Sequence, residues 1–121
     1  MTSAIAFVVP GQPVPKGRPR LAPRGHTYTP YRTAEAEVRV IGYLKKTYPH
    51  LRPLSVDCAL EIDCYIKGKG RGDWDNFGKL VSDALNGIAY EDDSLVQDAH
   101  VRLFHNSDTP RTEITLRVLN P

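Results

Sequence analysis

The chain has 121 residues, 40% of them hydrophobic and 25% charged, with a formal net charge of +2. That is the soluble composition of one domain, with no apolar run near the roughly 20 residues of a membrane span and no secretory leader pattern at the N-terminus. A cytoplasmic protein with no membrane partner is expected. The small net charge hides a division. Residues 1–56 carry nine Lys/Arg against two acids, a net +7, and residues 57–121 carry seven against twelve, a net −5. Such asymmetry points to a polyanion on one side, unless the halves fold together and neutralise one another.

Residues 4–9 (AIAFVV) form a short β-branched and aromatic run closed by Pro10-Gly11, the pattern of a strand. From Pro10 to Pro30 there are six prolines with Lys16, Arg18, Arg20 and Arg24 interleaved. Proline fixes φ and removes a donor, so an extended basic arm is expected there rather than a helix or central strand. Thr33 is placed to cap a helix, with Glu35 and Glu37 near its positive end. Val40, Ile41, Leu44 and Tyr48 supply its apolar face, and Pro49 bounds it.

Residues 56–66 alternate, with Val56, Cys58, Leu60, Ile62, Cys64 and Ile66 on one face, which predicts a long half-buried strand. Cys58 and Cys64 would share that face about 20 Å apart, beyond disulfide reach, and serve as small apolar fillers. The four histidines, His26, His50, His100 and His105, have no zinc-motif context. Residues 67–72 (KGKGRG) make a basic turn. From about residue 75 the period becomes helical, with Phe77, Leu80, Val81, Ala84, Leu85 and Ile88 on one stripe and Asn86-Gly87 as a left-handed stop. Residues 94–104 and 111–119 read as two further strands. The expected fold is α+β: a single domain over 1–121, with a mixed four-stranded sheet and two helices packed on it.

Acids gather around the second helix. Asp75, Lys79 and Asp83 follow one another at intervals of four residues along a single stripe. Asp73 precedes the helix, and Glu91, Asp92 and Asp93 arrive from the loop after it. Carboxylate oxygens suit hard divalent cations, and cations nearby suit phosphates. By spacing alone, an N-cap with a Lys79–Asp83 surface pair explains the same residues. The run Gly68-Lys69-Gly70-Arg71-Gly72 is not a phosphate loop. No Ser or Cys has an evident His partner.

Asp73-x-Asp75-Asn76-x-x-Lys79, continuing through Asp83-Ala84-Leu85 to Asp92-Asp93, closely resembles the signature of the RusA-type Holliday junction resolvases. The run Gly11-x-Pro13-x-Pro15-Lys16-x-Arg18-Pro19-Arg20 resembles the N-terminal segment of phage and prophage members. The resemblance implies a homodimeric, Mg²⁺-dependent endonuclease (Mn²⁺ being the alternative ion) acting on four-way, branched DNA. It makes Asp73, Asp75 and Asp93 metal-binding catalytic carboxylates and Lys79 the catalytic lysine, with Asp92 the less certain member of its pair. No role carries over to Trp74, which is either an exposed wedge against a base step or a packed anchor.

The basic arm (Lys16, Arg18, Arg20, Arg24) and turn (Lys67, Lys69, Arg71) are the candidate DNA-phosphate contacts. The rival readings are a nuclease of other branched or single-stranded DNA, an inactive DNA-binding accessory protein, and an interaction module using the Pro-rich arm.

Overall fold

The computed structural model describes residues 4–17, 20–21, 27–28, 31–69 and 72–119. The elements run β1 (Ala4–Pro10), β2 (Arg20–Leu21), β3 (Thr27–Tyr28), α1 (Tyr31–Thr47), β4 (Cys58–Tyr65), α2 (Trp74–Leu85), a 3-10 turn (Asp93–Leu95), β5 (Val96–Phe104) and β6 (Arg111–Val118). The main sheet has the order β1-β6-β4-β5. β6 is antiparallel to both β1 and β4, while β5 is parallel to β4. A parallel neighbour requires a crossover, and α2 provides it. The α+β sheet-and-two-helix arrangement is the one expected.

Strand alternation explains the packing. Phe7 and Val9 of β1, Ile114 and Leu116 of β6, and Cys58, Leu60, Ile62 and Cys64 of β4 are buried beneath Val40 and Leu44 of α1 and Phe77, Leu80, Val81, Ala84 and Leu85 of α2. Both cysteines are free and buried. Burial, with a smaller push from Asp63, raises the Cys64 thiol to about 12, so it stays neutral and apolar in behaviour. α2 ends at Leu85, and Gly87 takes the expected left-handed turn at φ 79°.

Four expectations are corrected. α1 begins at Tyr31, so Thr33 lies inside the helix rather than capping it. Its buried hydroxyl instead accepts a hydrogen bond from Gly17 N at 2.8 Å, tying the arm to α1. Val56 is 48% exposed, because pairing in β4 starts only at Cys58. The Pro-rich arm is not wholly irregular, since β2 and β3 pair antiparallel between Arg20 and Tyr28 and between Leu21 and Thr27. β5 starts after a 3-10 turn, not at residue 94.

Among the described residues no helix is long and apolar enough to cross a membrane.

Candidate active site

The start of α2 is set by local backbone geometry. Gly72 has φ +130°, and a Cβ there would lie 2.9 Å from Phe77 Cε2, so the position requires glycine. Asp73 follows in an extended conformation as the N-cap residue. Its carbonyl accepts from Asn76 N at 3.0 Å, but its carboxylate makes no capping hydrogen bond. The capping explanation therefore does not use the Asp73 side chain. Asp75 sits in the first helical turn, where the exposed amides favour negative charge.

Farther along α2 the stripe divides. Asp83 bonds to Lys16 Nζ at 3.1 Å, and the same ammonium reaches Glu37 at 3.0 Å. Lys16 N also donates to Asn76 O at 2.9 Å, so this residue clamps the arm to both helices. Burial opposes its charge, but the hydrogen bonds and charges of Glu37 and Asp83 outweigh that and raise its pKa above the ordinary lysine value. Lys16 is thus engaged by carboxylates rather than presented to phosphate. Lys79 is exposed and, among the described residues, has no ion-pair partner. The Lys79–Asp83 surface pair allowed by spacing does not form.

The two acids after α2 also separate. Asp92 Oδ2 accepts from Ser94 N at 3.0 Å, capping the 3-10 turn, and hydrogen bonding to the Ser94 side chain first, then to its backbone amide, lowers the Asp92 pKa. Asp93 is left without a side-chain partner among the described residues and faces an open pocket of about 360 Å³. Asp75, Lys79, Asp93, Ser82 and Trp74 form its polar rim, and Leu60, Ile62, Val96, Ala99 and Val101 its apolar floor. Fully buried Tyr90 donates to the carbonyl of the pocket residue Ser82 at 2.7 Å. Burial first, and then the nearby charges of Cys58, Asp93 and Asp83, raise its pKa. Tyr90 is therefore a neutral donor at physiological pH.

Asp75, Lys79 and Asp93 come together around this pocket, while Asp73 stands two residues before Asp75 and outside the lining. One contributor was not read from the sequence, and a second, Trp74, was left there between two readings. Gly78 lets α2 lie against β5, since a Cβ there would be 2.7 Å from Val101 Cγ2. A glycine inside a helical pattern was the available signal. Trp74 is 62% exposed on the pocket rim, so it is not a packed anchor.

Lys67 and Lys69 are exposed in the turn after β4, Arg20 lies in β2, and Arg18, Arg24 and Arg71 fall outside the described residues. Among the described residues one ion pair, Lys16–Asp83, joins the basic N-terminal part to the acidic C-terminal part. The remaining pairs stay within one part or the other.

Residues 10–117 match the family described as endodeoxyribonuclease RusA. The chain belongs to the RusA family. It is also 31% identical over 136 aligned positions to the uncharacterized protein YqaN of Bacillus subtilis (strain 168), covering 93% of this chain and 95% of that one. The RusA match takes in the arm, the pocket and the whole of β4, α2 and β5. Membership assigns the chain to the endodeoxyribonucleases and accords with the basic and acidic regions read from its sequence.

RusA-family nucleases generally depend on a divalent metal, so the donors deserve a test of fit. Asp73, Asp75 and Asp93 are exposed hard-oxygen donors with no ion pair to any described cation. No three His, Cys, Asp or Glu side chains among the described residues converge into a ready-made metal cage. Mg²⁺ does not need one: it commonly keeps several waters and is held by one or two carboxylates plus substrate phosphate. The donor chemistry fits such an ion.

Proposed function

We propose that this RusA-family chain is a Mg²⁺-dependent nuclease that resolves four-way DNA junctions as a homodimer, with Mn²⁺ as a substitute ion. The observation that carries the reading is the selective freedom of Asp75, Lys79 and Asp93 around one pocket, while their neighbours Asp83 and Asp92 are occupied by Lys16 and Ser94. Asp75 and Asp93, with Asp73 beside them, would hold the cation. When bound, it supplies activation of water and neutralisation of charge on the phosphate.

The chain's own groups do the rest. Lys79, a compact cation on the same rim, draws a non-bridging phosphate oxygen into the pocket and opposes charge as it builds in the transition state. The apolar floor of Leu60, Ile62, Val96 and Val101 offers that charge no competing side-chain hydrogen-bond partner, leaving Lys79 as the cation on the rim. Trp74 offers an exposed ring beside Asp75 for contact with the sugar or base flanking the phosphate. Water adds at phosphorus, the bond to the 3′ oxygen breaks, and the products are a 5′ phosphate and a 3′ hydroxyl.

Resolution requires two cuts on opposing strands. One chain carries one such pocket, and a two-fold dimer presents two to a two-fold junction. The test is cleavage of a labelled immobile four-way junction beside duplex, flap and single-strand controls, with and without Mg²⁺. Paired, symmetric, ligatable cuts confined to the junction are expected. Preferential cutting of flaps or single strands would replace the junction reading with the rival nuclease. Mixing with excess Asp75→Asn subunits should yield nicked rather than resolved junctions. Undiminished paired cutting in that mixture would remove the dimer.

A further inference from the structure

The face of the sheet turned away from the helices ends in a column of flat groups. Tyr65 of β4 is in register with Phe104 of β5 on one side and Arg111 of β6 on the other. The Tyr65 and Phe104 rings stack with centroids 4.8 Å apart and planes 14° from parallel. That separation is the interstrand spacing, so the rings stand side by side across the strands. The Arg111 guanidinium lies 3.8 Å from the Tyr65 centroid. It is fixed there by Glu113 Oε2 at 2.7 Å, Thr109 O at 2.9 Å and Thr109 Oγ1 at 2.8 Å. The column is therefore rigid, and it is backed at one end by a cation.

Its other end is open. β5 is the edge strand, so the second face of Phe104 looks past the sheet, and this large apolar ring is 41% exposed. Directly beside it runs the turn carrying Lys67 and Lys69. Ile66 N donates to Phe104 O at 2.7 Å, Asn106 N to Gly68 O at 2.8 Å, and Ser107 N to Ile66 O at 2.9 Å. Both lysines are exposed, and among the described residues neither has a carboxylate partner.

We propose that Phe104 is a stacking platform for one unpaired nucleobase of branched DNA, with Lys67 and Lys69 holding the phosphates that flank it. An aromatic face beside free cations is how sequence-tolerant single-strand contacts are built, the ring taking the base and the cations the backbone. A base stacked between its neighbours within a duplex has no free face to offer, so the site selects DNA opened at a branch point. Lys67 and Lys69 stand six and four residues before Asp73, the N-cap residue of α2. This inference rests on the DNA-nuclease reading above and adds a specificity residue to it.

The test uses a four-way junction carrying 2-aminopurine at the branch point, bound without divalent metal. Wild-type protein should quench the probe by stacking. Phe104→Leu, which keeps apolar bulk but removes the ring, should lose the quenching and bind the junction roughly tenfold more weakly. Phe104→Trp should restore both, and the effect of Phe104→Leu on fully paired duplex should stay within about twofold. Full quenching and junction affinity in Phe104→Leu would overturn the platform. An equal loss on duplex, or no rescue by tryptophan, would also overturn it, because the residue would then be structural. Wild-type protein that ignores branched DNA altogether would take down the nuclease reading, and the platform with it.

Discussion

The two faces of this protein use the same charged residues in opposite ways. On the outer sheet face, Arg102 pairs with Asp63 and Glu61, Arg111 with Glu113, and Arg117 and His100 with Asp98. On the helix side, Asp75, Asp93 and Lys79 line one pocket with Asp73 two residues before Asp75, and none of the four forms an ion pair among the described residues. Exposed pairs contribute about 0–1 kcal/mol each, so the outer face gains little stability from its order. The contrast matters for another reason. A carboxylate already satisfied by arginine is a poor ligand, whereas one left free beside other free carboxylates keeps its oxygens for a cation and its substrate. Chemistry is expected where the pairing stops.

The sharpest way to break this comparison is to neutralise one acid on each side. Asp75→Asn and Asp93→Asn should each lower junction cleavage about a thousandfold, the scale of several kcal/mol of lost charge stabilisation. Junction affinity should hold or tighten, since negative charge near phosphate has been removed. Asp73→Asn should behave alike if its carboxylate completes the cation site. Asp63→Asn, which breaks a pair on the outer face, should leave turnover within about twofold. Single-turnover rates with gel-shift affinities and circular dichroism decide the matter. Equal losses for Asp63→Asn and Asp75→Asn would mean that free and paired acids are not functionally distinct.

The two lysines attached to α2 offer a second contrast. Lys79→Ala should reduce the cleavage rate about a hundredfold with little change in affinity or melting temperature, because its interaction grows only as charge develops. Lys16→Met should do the reverse. It leaves Glu37 and Asp83 facing each other at a partly buried clamp, with an expected loss of about 1–2 kcal/mol of stability. The pH dependence follows from the raised Lys16 pKa. Its stabilising contribution is complete below the ordinary lysine value of 10.5 and fades as pH rises through the higher folded-state value. Wild type and Lys16→Met should therefore differ by a constant amount from neutral pH to about 10 and converge above it. Convergence near pH 7 would show that the clamp is not held by this ammonium.

How much of this was legible in the sequence depends on the range of each signal. The alternation through Cys58, Leu60, Ile62 and Cys64 and the helical stripe through Phe77, Leu80, Val81, Ala84 and Leu85 are local patterns, and the fold keeps them. The split between Asp92 and Asp93 also had a local cue, because Ser94 offers its amide two residues beyond Asp92. The partners of Lys16 had no such cue. Glu37 and Asp83 lie on two different helices, and only the packing of α1 beside α2 brings both to one ammonium. The start of α1 was misplaced for a similar reason, since the Thr33 hydroxyl serves Gly17 of the arm rather than its own helix end. Exposure of Trp74 was likewise undecidable from a neighbourhood of alternating acids and aromatics.

Packing beneath the pocket gives a smaller effect. Gly78→Ala places a methyl 2.7 Å from Val101 Cγ2, and overpacking of this kind costs about 1–3 kcal/mol. Val101→Ala should relieve most of that penalty, so a double-mutant cycle read by denaturant unfolding should show strong favourable coupling. Additive losses would place the strain elsewhere in α2.

The finest contrast lies among the cations. Lys67 and Lys69 are unpaired in the described structure, while Arg102 on the same sheet is held at 2.7 Å by Asp63. An unpaired cation that meets a phosphate releases a counterion and contributes roughly 0.9 to the slope of log affinity against log salt. A paired one must first surrender its carboxylate and contributes little. Replacing Lys67 and Lys69 with glutamine should therefore flatten the slope by about 1.8, twice the single-contact value. Arg102→Gln should leave the slope unchanged. Titrations of junction binding across a salt series measure both. Identical slopes for all three proteins would place the phosphate track away from this turn, leaving the arm before α1 as the region to probe. A larger shift for Arg102→Gln would mean that the outer-face pairs open on contact with DNA, and pairing in the free protein would then no longer distinguish the two faces.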